Sequence, residues 1–292
     1  MTTSSSRQRI VITGAGGQVG TFLSARAAQT GHRVLALTSA DCDITDGARV
    51  DRLDLGPGDV LINCAAYTQV DAAQAAAERA HAVNATGPGH LARACARAGA
   101  RLIHISTDYV FDGDFGADPP RPYEPGDTPR PLSVYGATKL AGENAVLAAS
   151  PDALVVRTAW VYTGAVGGSD FVAVMADRAF SGAAVQVVDD QIGSPTYVGD
   201  LVDALLGLAS SPPASRVVHA VNVGAVSRYD QARAVFAAVG ADPDLVHPID
   251  SGTHRRPAPR PAYSALSGVE SARAGLQPLR GWRDALLAAM AR

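Results

Sequence analysis

The amino-acid sequence predicts an α/β protein, in which a Rossmann-type, doubly wound parallel sheet is followed by a smaller C-terminal α/β lobe for substrate. Short apolar strands alternate with helical segments through the first half of the chain, and a glycine-rich turn follows the first strand. Strands that are apolar on both faces are typical of a parallel sheet covered by helices on both sides. After about residue 158 the loops lengthen and Gly and Pro cluster, which indicates a second lobe.

The first half of the chain supplies the strands and helices of the sheet in alternation. Residues 10–12 are a β-branched run that predicts the first strand, and a helix over 19–28 follows the glycine-rich turn. Further short apolar runs predict strands over 33–37, 59–63, 101–106 and 153–157. Patterning predicts helices over 45–53, 72–98 and 133–149, with Gly87-Pro88 expected to break the second of these in two.

The second half predicts shorter elements, which lie over 185–188, 200–208, 217–223, 229–239 and 282–290. We therefore expect a disordered N-terminus over 1–8, a dinucleotide-binding domain over 9–159 and a mainly substrate-binding lobe over 160–292. Some segments of that lobe are expected to return to the sheet. Ligands of open α/β sheets bind at the carboxyl ends of the strands, where this lobe would pack.

Composition argues against several classes of protein. The formal net charge is −3, and no apolar run reaches the roughly 18 residues of a membrane helix, so we expect neither nucleic acid nor a membrane as partner. The three cysteines lack metal-ligand spacing, which favours reduced thiols and no metal site. The polar N-terminus has no signal-peptide core. These observations predict a soluble, cytoplasmic monomer or homodimer.

The turn after the first strand is a candidate dinucleotide site. Gly14, Gly17 and Gly20 are spaced three residues apart between a strand and a helix. Such glycines allow a tight turn, close approach of a pyrophosphate, and close packing of helix on strand. The helix N-terminus adds N–H groups and a positive dipole for the phosphates. We expect Gly14, Gly17, Gln18 and Val19 to contact the cofactor.

In dinucleotide-binding folds, the residue at the end of the second strand usually contacts the adenosine ribose. NAD enzymes often carry an acid there, whereas Thr38 stands at this place and permits a 2′-phosphate. No arginine follows at once to bind such a phosphate, so the sequence favours NADPH only weakly over NADH. Asp43 and Ile44 are expected along the adenine. The alternative for Asp43 is the N-cap of the helix over 45–53.

Tyr135 and Lys139 form a Tyr-x-x-x-Lys pair, which places both side chains on one helix face. A free tyrosine hydroxyl has a pKa of about 10 and transfers protons poorly at neutral pH. A nearby ammonium favours the phenolate and lowers that pKa. Lys139 is the single lysine among 25 lysines and arginines. We predict that this pair is catalytic.

The third catalytic group is expected at the end of the fourth strand. A hydroxyl there would polarise a substrate carbonyl, and we assign Thr107, with Ser106 as the alternative. The residues after the third strand are small enough for a cofactor to lie across the sheet edge, and those expected to contact it are Ala65, Ala66, Tyr67 and Thr68. Asn84 either fixes backbone near the active-site helix or makes a helix-interior polar contact.

Together these motifs resemble the extended short-chain dehydrogenases and, more narrowly, the dTDP-4-dehydrorhamnose reductase family. The glycine turn and Tyr-x-x-x-Lys are shared across the superfamily. Narrower signals are the Ser-Thr-Asp-Tyr-Val-Phe block at 106–111, the Asp-Gln-Ile-Gly-Ser-Pro-Thr block at 190–196, and Arg260-Pro261. The resemblance covers essentially the whole chain.

The resemblance implies a reaction and a set of roles. It implies reduction of the 4-keto group of a dTDP-6-deoxyhexose, most closely dTDP-4-dehydro-L-rhamnose, by NADPH or NADH. Tyr135 would donate the proton, Lys139 would tune it and hold the ribose, and Thr107 would contact the sugar carbonyl. The residues implied at the substrate are Thr107, Asp108, Trp160, Gln191 and Arg260.

One departure from the family concerns metal. Some members dimerise through a metal held by glutamates, one of them just after the glycine turn, where this chain has Thr21-Phe22. Neither the metal nor the metal-linked dimer is therefore expected.

Other functions stay open at the level of sequence. A related antibiotic deoxysugar, of the dTDP-dihydrostreptose type, would require nearly the same motifs. An NDP-sugar epimerase would retain NAD tightly, and a non-catalytic dinucleotide-binding regulatory subunit would not oxidise cofactor. A dehydratase is disfavoured, because Thr107 is followed by Asp108 and Tyr109 rather than by an Asp-Glu pair.

Overall fold

The computed structural model describes residues 8–165, 167–253 and 255–291. The predicted disordered N-terminus therefore lies outside the described residues except for Gln8. The side-chain amide of Gln8 donates a hydrogen bond to the Ala209 carbonyl at 3.2 Å.

Strands and helices alternate through the first 160 residues, as the sequence predicts. In chain order the strands are β1 (Arg9–Thr13), β2 (Arg33–Leu37), β3 (Val60–Asn63), β4 (Arg101–Thr107), β5 (Leu154–Thr158), β6 (Val161–Tyr162), β7 (Val185–Val188), β8 (Ile192–Gly193), β9 (Thr196–Tyr197), β10 (Val217–His219), β11 (Val226–Ser227) and β12 (Val246–Ile249). The α-helices are α1 (Gln18–Gln29), α2 (Gly47–Asp51), α3 (Val70–Ala73), α4 (Ala77–His81), α5 (Gly87–Ala98), α6 (Val134–Ala149), α7 (Phe171–Phe180), α8 (Val198–Ser210), α9 (Arg228–Ala238), α10 (Val269–Arg273) and α11 (Trp282–Met290).

Six strands form one parallel sheet in the order β2-β1-β3-β4-β5-β10. The strand order reverses at β1, because the chain moves outward from β1 to β2 and then returns to β3 on the other side. Such a switch point opens a crevice at the carboxyl ends of the strands, where ligands of doubly wound sheets bind. The predicted fold class is confirmed.

The sheet is covered on both faces, which is why its strands read as continuously apolar. Ile10 and Ile12 of β1 join the apolar cluster that contains α1 and α8. Val11, which points to the opposite face, joins a second cluster with Leu91 of α5 and Val146 of α6. The side chains of these residues are completely buried. Burial on this scale stabilises the sheet that carries the crevice.

Two predicted helices differ from the structure. The chain stays helical through Gly87-Pro88, because a π-helical turn over Ala82–Thr86 runs directly into α5. Pro88 then lies in the first turn of α5, where its missing N–H costs little. The helix predicted over 45–53 is the shorter α2, and its N-cap is Asp46, whose side chain accepts from Arg49 N. The alternative that Asp43 caps this helix is therefore wrong.

The second half of the chain builds a smaller lobe from two-stranded pairs, β6 with β9, β7 with β12, and β8 with β11. Some of its segments return to the sheet: β10 pairs with β5, and α8 packs against α1. The division between residues 159 and 160 stays a prediction. Across the described ranges, no helix meets the length and apolarity of a membrane span, and no group of three or more His, Cys, Asp or Glu is placed to hold a metal ion.

Candidate functional site

The glycine turn forms a narrow cradle at the carboxyl end of β1. Gly14 has φ +70°, and a Cβ there would lie 2.5 Å from Ala65 N. A Cβ on Gly20 would lie 2.3 Å from the Gly14 carbonyl oxygen. Gly17 is the N-cap of α1, with no side-chain cap and no acidic residue in the first helical turn. Backbone N–H groups left open at a helix start suit an anion, so this cradle fits a pyrophosphate.

Gln18 and Val19 begin α1 beside this cradle. The Gln18 amide is exposed and donates to Asp170 Oδ2 at 3.5 Å, which connects the turn to the start of α7 in the smaller lobe. Val19 is half-buried and packs against the core. The side chain of Val19 therefore supports the turn, and a cofactor contact here would come from the start of the helix.

Thr38 directly follows β2, and its polar groups are already paired. Its backbone N–H and its hydroxyl both donate to Asp41 Oδ2, at 2.9 and 2.7 Å. These hydrogen bonds lower the pKa of the exposed Asp41 carboxyl, which keeps it ionised. A negative charge thus stands beside Thr38, a feature that sequence reasoning missed.

Asp43 and Ile44 occupy different environments. The Asp43 carboxylate accepts from the backbone and hydroxyl of Thr45, at 2.9 and 2.8 Å, and stays near the surface. Ile44 is buried in the core, and a Cβ on Gly87 would lie only 2.7 Å from its side chain. The prediction that Asp43 and Ile44 lie along the adenine stays a prediction.

The segment after β3 lies against the cradle. Ala65, Ala66 and Tyr67 are partly exposed and Thr68 is exposed, and their contact with the cofactor stays a prediction. Asn84 holds this segment: its Oδ1 accepts from Tyr67 N at 2.8 Å, and its Nδ2 donates to Tyr67 O at 3.1 Å. The same Nδ2 lies 3.1 Å from Thr138 Oγ1, which links the segment to α6. This geometry agrees with the first of the two interpretations of Asn84, in which its side chain fixes the backbone near the active-site helix.

Helix α6 carries Tyr135 and Lys139 in its first two turns. Ser133 caps the helix by accepting from Gly136 N at 3.1 Å. Burial raises the pKa of the Tyr135 hydroxyl, and a hydrogen bond with Thr107 opposes that rise. The Nζ atom of Lys139 donates to Ile105 O at 2.6 Å, and burial lowers the pKa of Lys139 to about 8.

This arrangement corrects one expectation. The ammonium of Lys139 was expected to lower the pKa of Tyr135, whereas burial raises it. The reason is geometric, because Nζ is directed toward β4 rather than toward the phenol. Tyr135 is consequently a neutral phenol at neutral pH.

The hydroxyls of Thr107 and Ser106, which are neighbours at the end of β4, contact different partners. The Ser106 hydroxyl is buried and donates to Glu143 Oε1 at 2.5 Å, away from Tyr135. The Thr107 hydroxyl accepts from Tyr109 N at 3.1 Å and donates to Asp108 Oδ1 at 3.0 Å. It also favours the phenolate of Tyr135, which lowers the pKa of that phenol against the effect of burial. Of the two hydroxyls, only that of Thr107 adjoins the phenol.

Asp108 is buried beside this pair. Its Oδ2 accepts from Ser264 Oγ at 2.6 Å, and burial raises the pKa of the carboxyl to about 6 despite the hydrogen bonds from Ser264 and Thr107. Asp108 is therefore a second proton-binding group one residue from Thr107, and its contact with substrate stays a prediction.

A cavity of about 860 Å³ in the smaller lobe reaches Tyr109, the residue that follows Asp108. Its lining includes Tyr109, Gln191 and four arginines, Arg228, Arg255, Arg256 and Arg260. Excess positive charge in a cleft favours an anionic ligand. The cavity is large enough for a drug-sized or nucleotide-sized ligand.

Trp160 and Arg228 are stacked at this cavity. The Arg228 guanidinium lies 3.5 Å from the centroid of the Trp160 ring and 4.8 Å from that of Phe171. Trp160 has φ +47°, a conformation that bulky residues rarely adopt, and such strain is often found at functional sites. Burial lowers the pKa of Arg228 to about 10, which leaves it charged at neutral pH.

Arg260 is already paired. Its guanidinium forms two hydrogen bonds with Asp71, at 2.7 and 2.9 Å, and so ties the loop before Pro261 to α3. The predicted role of Arg260 at the nucleotide stays a prediction, and its guanidinium is shared with Asp71 in this structure.

Sequence reasoning did not identify Asp71, His104, Arg228 and Ser264, all of which contact predicted site residues. Their partners are distant in sequence. His104 alone carried a usable signal, because it is a polar residue inside an apolar central strand.

Comparisons with known proteins agree on one family. The family described as RmlD substrate binding domain matches residues 8–292. The chain is similar to the dTDP-4-dehydrorhamnose reductase of Mycobacterium tuberculosis, with 62% identity over 284 residues, 97% of this chain and 93% of the relative. The reductase of that name from Streptomyces griseus is 44% identical over 288 residues, 96% of this chain and 92% of the relative. The crystal structure of dTDP-4-dehydrorhamnose reductase from Bacillus anthracis in complex with NADP has a TM-score of 0.89 and 32% identity, covering 98% of this chain and 99% of that one.

Proposed function

The chain belongs to the dTDP-4-dehydrorhamnose reductase family, and from this premise we propose that it reduces dTDP-4-dehydro-L-rhamnose to dTDP-L-rhamnose with a nicotinamide cofactor. The observation that carries the proposal is that the Thr107 hydroxyl at the end of β4 acts on the Tyr135 phenol of α6 and favours its phenolate. A proton donor and a carbonyl-binding hydroxyl thus meet at the crevice of the sheet.

Tyr135 is suited to be the general acid. The phenol holds its proton at neutral pH, and the Thr107 hydroxyl, which favours the phenolate, opposes the rise in pKa that burial causes. Thr107 therefore assists release of the proton to an oxyanion forming at C4 of the sugar. Bound NADPH or NADH would supply the hydride to C4. Thr107 would donate to the C4 oxygen beside the phenol when its hydroxyl proton turns from Asp108 Oδ1, while Tyr109 N keeps the hydroxyl oxygen in place.

Lys139 and the glycine cradle would hold the cofactor. The N-terminus of α1, Gly14 and Gly17 would receive the pyrophosphate. The Lys139 amine, at the end of β4, would bind the ribose hydroxyls. The segment 65–68 would cover the sheet edge between them.

The arginines of the cavity support a nucleoside diphosphate as the other half of the substrate. Guanidinium groups match phosphate by charge and by geometry. Arg228 is pre-oriented by its stack on Trp160, so it loses little side-chain freedom on binding. Gln191 and Arg260 line the same cavity.

The sequence favours NADPH weakly over NADH, and the position of Asp41 opposes that preference. The ionised Asp41 carboxylate beside Thr38 would repel a 2′-phosphate, while Thr38 itself would accommodate one. We therefore propose that the protein accepts both NADPH and NADH.

The test is incubation of the purified protein with dTDP-4-dehydro-L-rhamnose and each cofactor in turn, followed by absorbance at 340 nm and by NMR of the product. The expected result is one cofactor oxidised per dTDP-L-rhamnose formed. Isomerisation without added cofactor would instead assign an epimerase. Binding without oxidation would assign a regulatory module, and a faster reaction with another 4-ketosugar would assign a related deoxysugar pathway.

A further inference from the structure

A chain of polar side chains is buried below the cofactor cradle. Thr13 ends β1, Asn63 ends β3, His104 lies in β4, and Lys139 lies in α6, and each is at most 2% exposed. Thr13 Oγ1 lies 2.8 Å from Asn63 Oδ1, Asn63 Nδ2 lies 3.0 Å from His104 Nδ1, and His104 Nε2 lies 3.4 Å from Lys139 Nζ. Of these four residues, the proposed reaction uses only Lys139.

The orientation of the Asn63 amide is fixed by the backbone. The Ala65 N–H donates to Asn63 Oδ1 at 3.0 Å, and a backbone N–H cannot accept. The oxygen of Asn63 therefore faces Ala65 and Thr13, and its NH₂ group faces His104. Because that NH₂ is a donor, His104 Nδ1 is the acceptor.

The tautomer of His104 follows from this contact. Burial is the largest influence on His104 and holds its pKa well below the ordinary value, so the ring is neutral and carries one proton. With Nδ1 accepting, that proton is on Nε2, which faces Lys139 Nζ. An ammonium has donors only, whereas a neutral amine can accept, so this tautomer favours the neutral amine.

The other charged or titratable groups around Lys139 do not cancel this effect. Glu143, one turn further along α6, raises the pKa of Lys139, but its carboxylate is held by Arg157 at 2.7 Å. Cys64 at the end of β3 would raise it only as a thiolate, and burial raises the pKa of Cys64 to about 12. Burial remains the largest influence and lowers the pKa of Lys139 to about 8.

We propose that His104 is a positioning residue, held by Asn63 as its Nε2–H tautomer, and that it sets the protonation equilibrium of Lys139. The same hydrogen-bond chain begins at Thr13 and Ala65, which flank the glycine cradle. These hydrogen bonds connect the protonation state of Lys139 to the strand ends that would receive the cofactor. Lys139 belongs to the site of the proposed function, but its protonation can be measured without substrate or cofactor.

The test uses the fact that the chain contains a single lysine. Untagged protein labelled with ¹³Cε,¹⁵Nζ-lysine gives one side-chain signal, whose pH titration reports Lys139 directly. The expected midpoint is about 8 in the parent protein. ¹⁵N-histidine labelling should show His104 protonated on Nε2, with its signals identified by their loss in His104→Gln.

Two variants and a control make the test specific. His104→Gln can turn its amide oxygen to Nζ and accept from the ammonium, so the midpoint should rise by about one unit or more toward the ordinary lysine value of about 10.4. Asn63→Asp offers a second acceptor to the imidazole, which should move the proton to Nδ1 and also raise the midpoint. Thr13→Val keeps the Ala65 contact, so tautomer and midpoint should stay unchanged.

Three results would overturn the proposal. The first is an Nδ1–H tautomer in the parent protein, and the second is a parent midpoint near the ordinary lysine value. The third is an unchanged midpoint in His104→Gln, or in Asn63→Asp if the first variant does not fold. None of these results depends on whether the protein reduces a ketosugar.

Discussion

Arg157 and Glu143 form a buried ion pair directly behind the candidate catalytic residues. Nη2 of Arg157 lies 2.7 Å from Oε2 of Glu143, and their side chains are 4% and 2% exposed. Glu143 also accepts from Ser106 at 2.5 Å. The pair therefore joins β5, the end of β4 and helix α6, which together fix the position of Tyr135.

Removing one partner of this pair should destabilise the fold strongly. Arg157→Met leaves the Glu143 carboxylate buried without its cation, and an uncompensated buried charge costs about 3–5 kcal/mol. Arg121→Met is the matched control, because Arg121 pairs with Asp127 at an exposed position and such pairs contribute ~1 kcal/mol or less. Urea unfolding measures both losses. Equal losses in the two variants would contradict the structural role of the buried pair.

The cradle should tolerate a methyl group at one glycine and not at another. Gly20→Ala places a Cβ 2.3 Å from the Gly14 carbonyl oxygen, so the turn must shift. Overpacking of this kind costs about 1–3 kcal/mol, and we expect NADPH to bind roughly tenfold or more weakly. In Gly16→Ala the nearest atom is the Thr38 methyl at 3.8 Å, so that variant should bind like the parent. Calorimetric titration with NADPH compares them, and equal affinities would refute the close approach at Gly20.

Local patterns predicted the frame of the molecule well. Strand β2 over 33–37, strand β7 over 185–188 and helix α11 over 282–290 have the predicted bounds. These elements depend on short-range apolar periodicity and on breakers beside them. The Gly87-Pro88 break failed because a π-helical turn, which no local rule signals, supplied a helical start for the proline.

Site residues could be predicted only where their spacing along the chain brings them together. Tyr135 and Lys139 are four residues apart, so helix geometry brings them to one face. Arg228 reaches Trp160 only because the smaller lobe folds back, and His104 meets Asn63 only because β3 and β4 are neighbours. Such contacts depend on tertiary structure, and single-sequence patterns do not encode them.

Asp108 should make stability depend on pH in the direction opposite to an ordinary surface carboxylate. Burial raises its folded pKa from 3.8 to about 6, so the folded state holds the proton more tightly than the unfolded state. The associated stability is present below pH 3.8 and is lost as pH rises through about 6. Above that pH the loss is about 3 kcal/mol at most.

Asp108→Asn should remove this dependence. Relative to the parent, the variant should become more stable by up to about 3 kcal/mol as pH rises from about 4 to 7.5. The exposed Asp118→Asn controls for loss of one carboxylate. Urea unfolding at several pH values measures the difference. A constant difference across this range would show that Asp108 has the same pKa in both states.

Asp41 should restrain the use of NADPH. Asp41→Asn removes the negative charge beside Thr38. The amide oxygen of the variant can still accept from the backbone N–H and the hydroxyl of Thr38. We expect kcat/KM for NADPH relative to NADH to rise roughly fivefold, as loss of one like charge near a phosphate allows. The effect should shrink at high salt, since an exposed charge is screened. An unchanged ratio would place the 2′-phosphate away from β2.

Tyr135→Phe should separate binding from chemistry. The phenyl ring keeps the edge-on packing against Tyr109, whose ring centroid lies 6.0 Å away, but carries no proton. Loss of a general acid lowers rates by about 10² to 10⁴-fold, so we expect kcat for the ketosugar to fall by that factor. Binding of NADPH and of dTDP should stay within about threefold, because neither the cradle nor the arginine-lined cavity is altered. Thr107→Val, which removes the hydroxyl that favours the phenolate of Tyr135, should also lower kcat. Turnover by Tyr135→Phe at the parent rate would rule out this phenol as the proton donor and direct attention to the protonated form of Asp108.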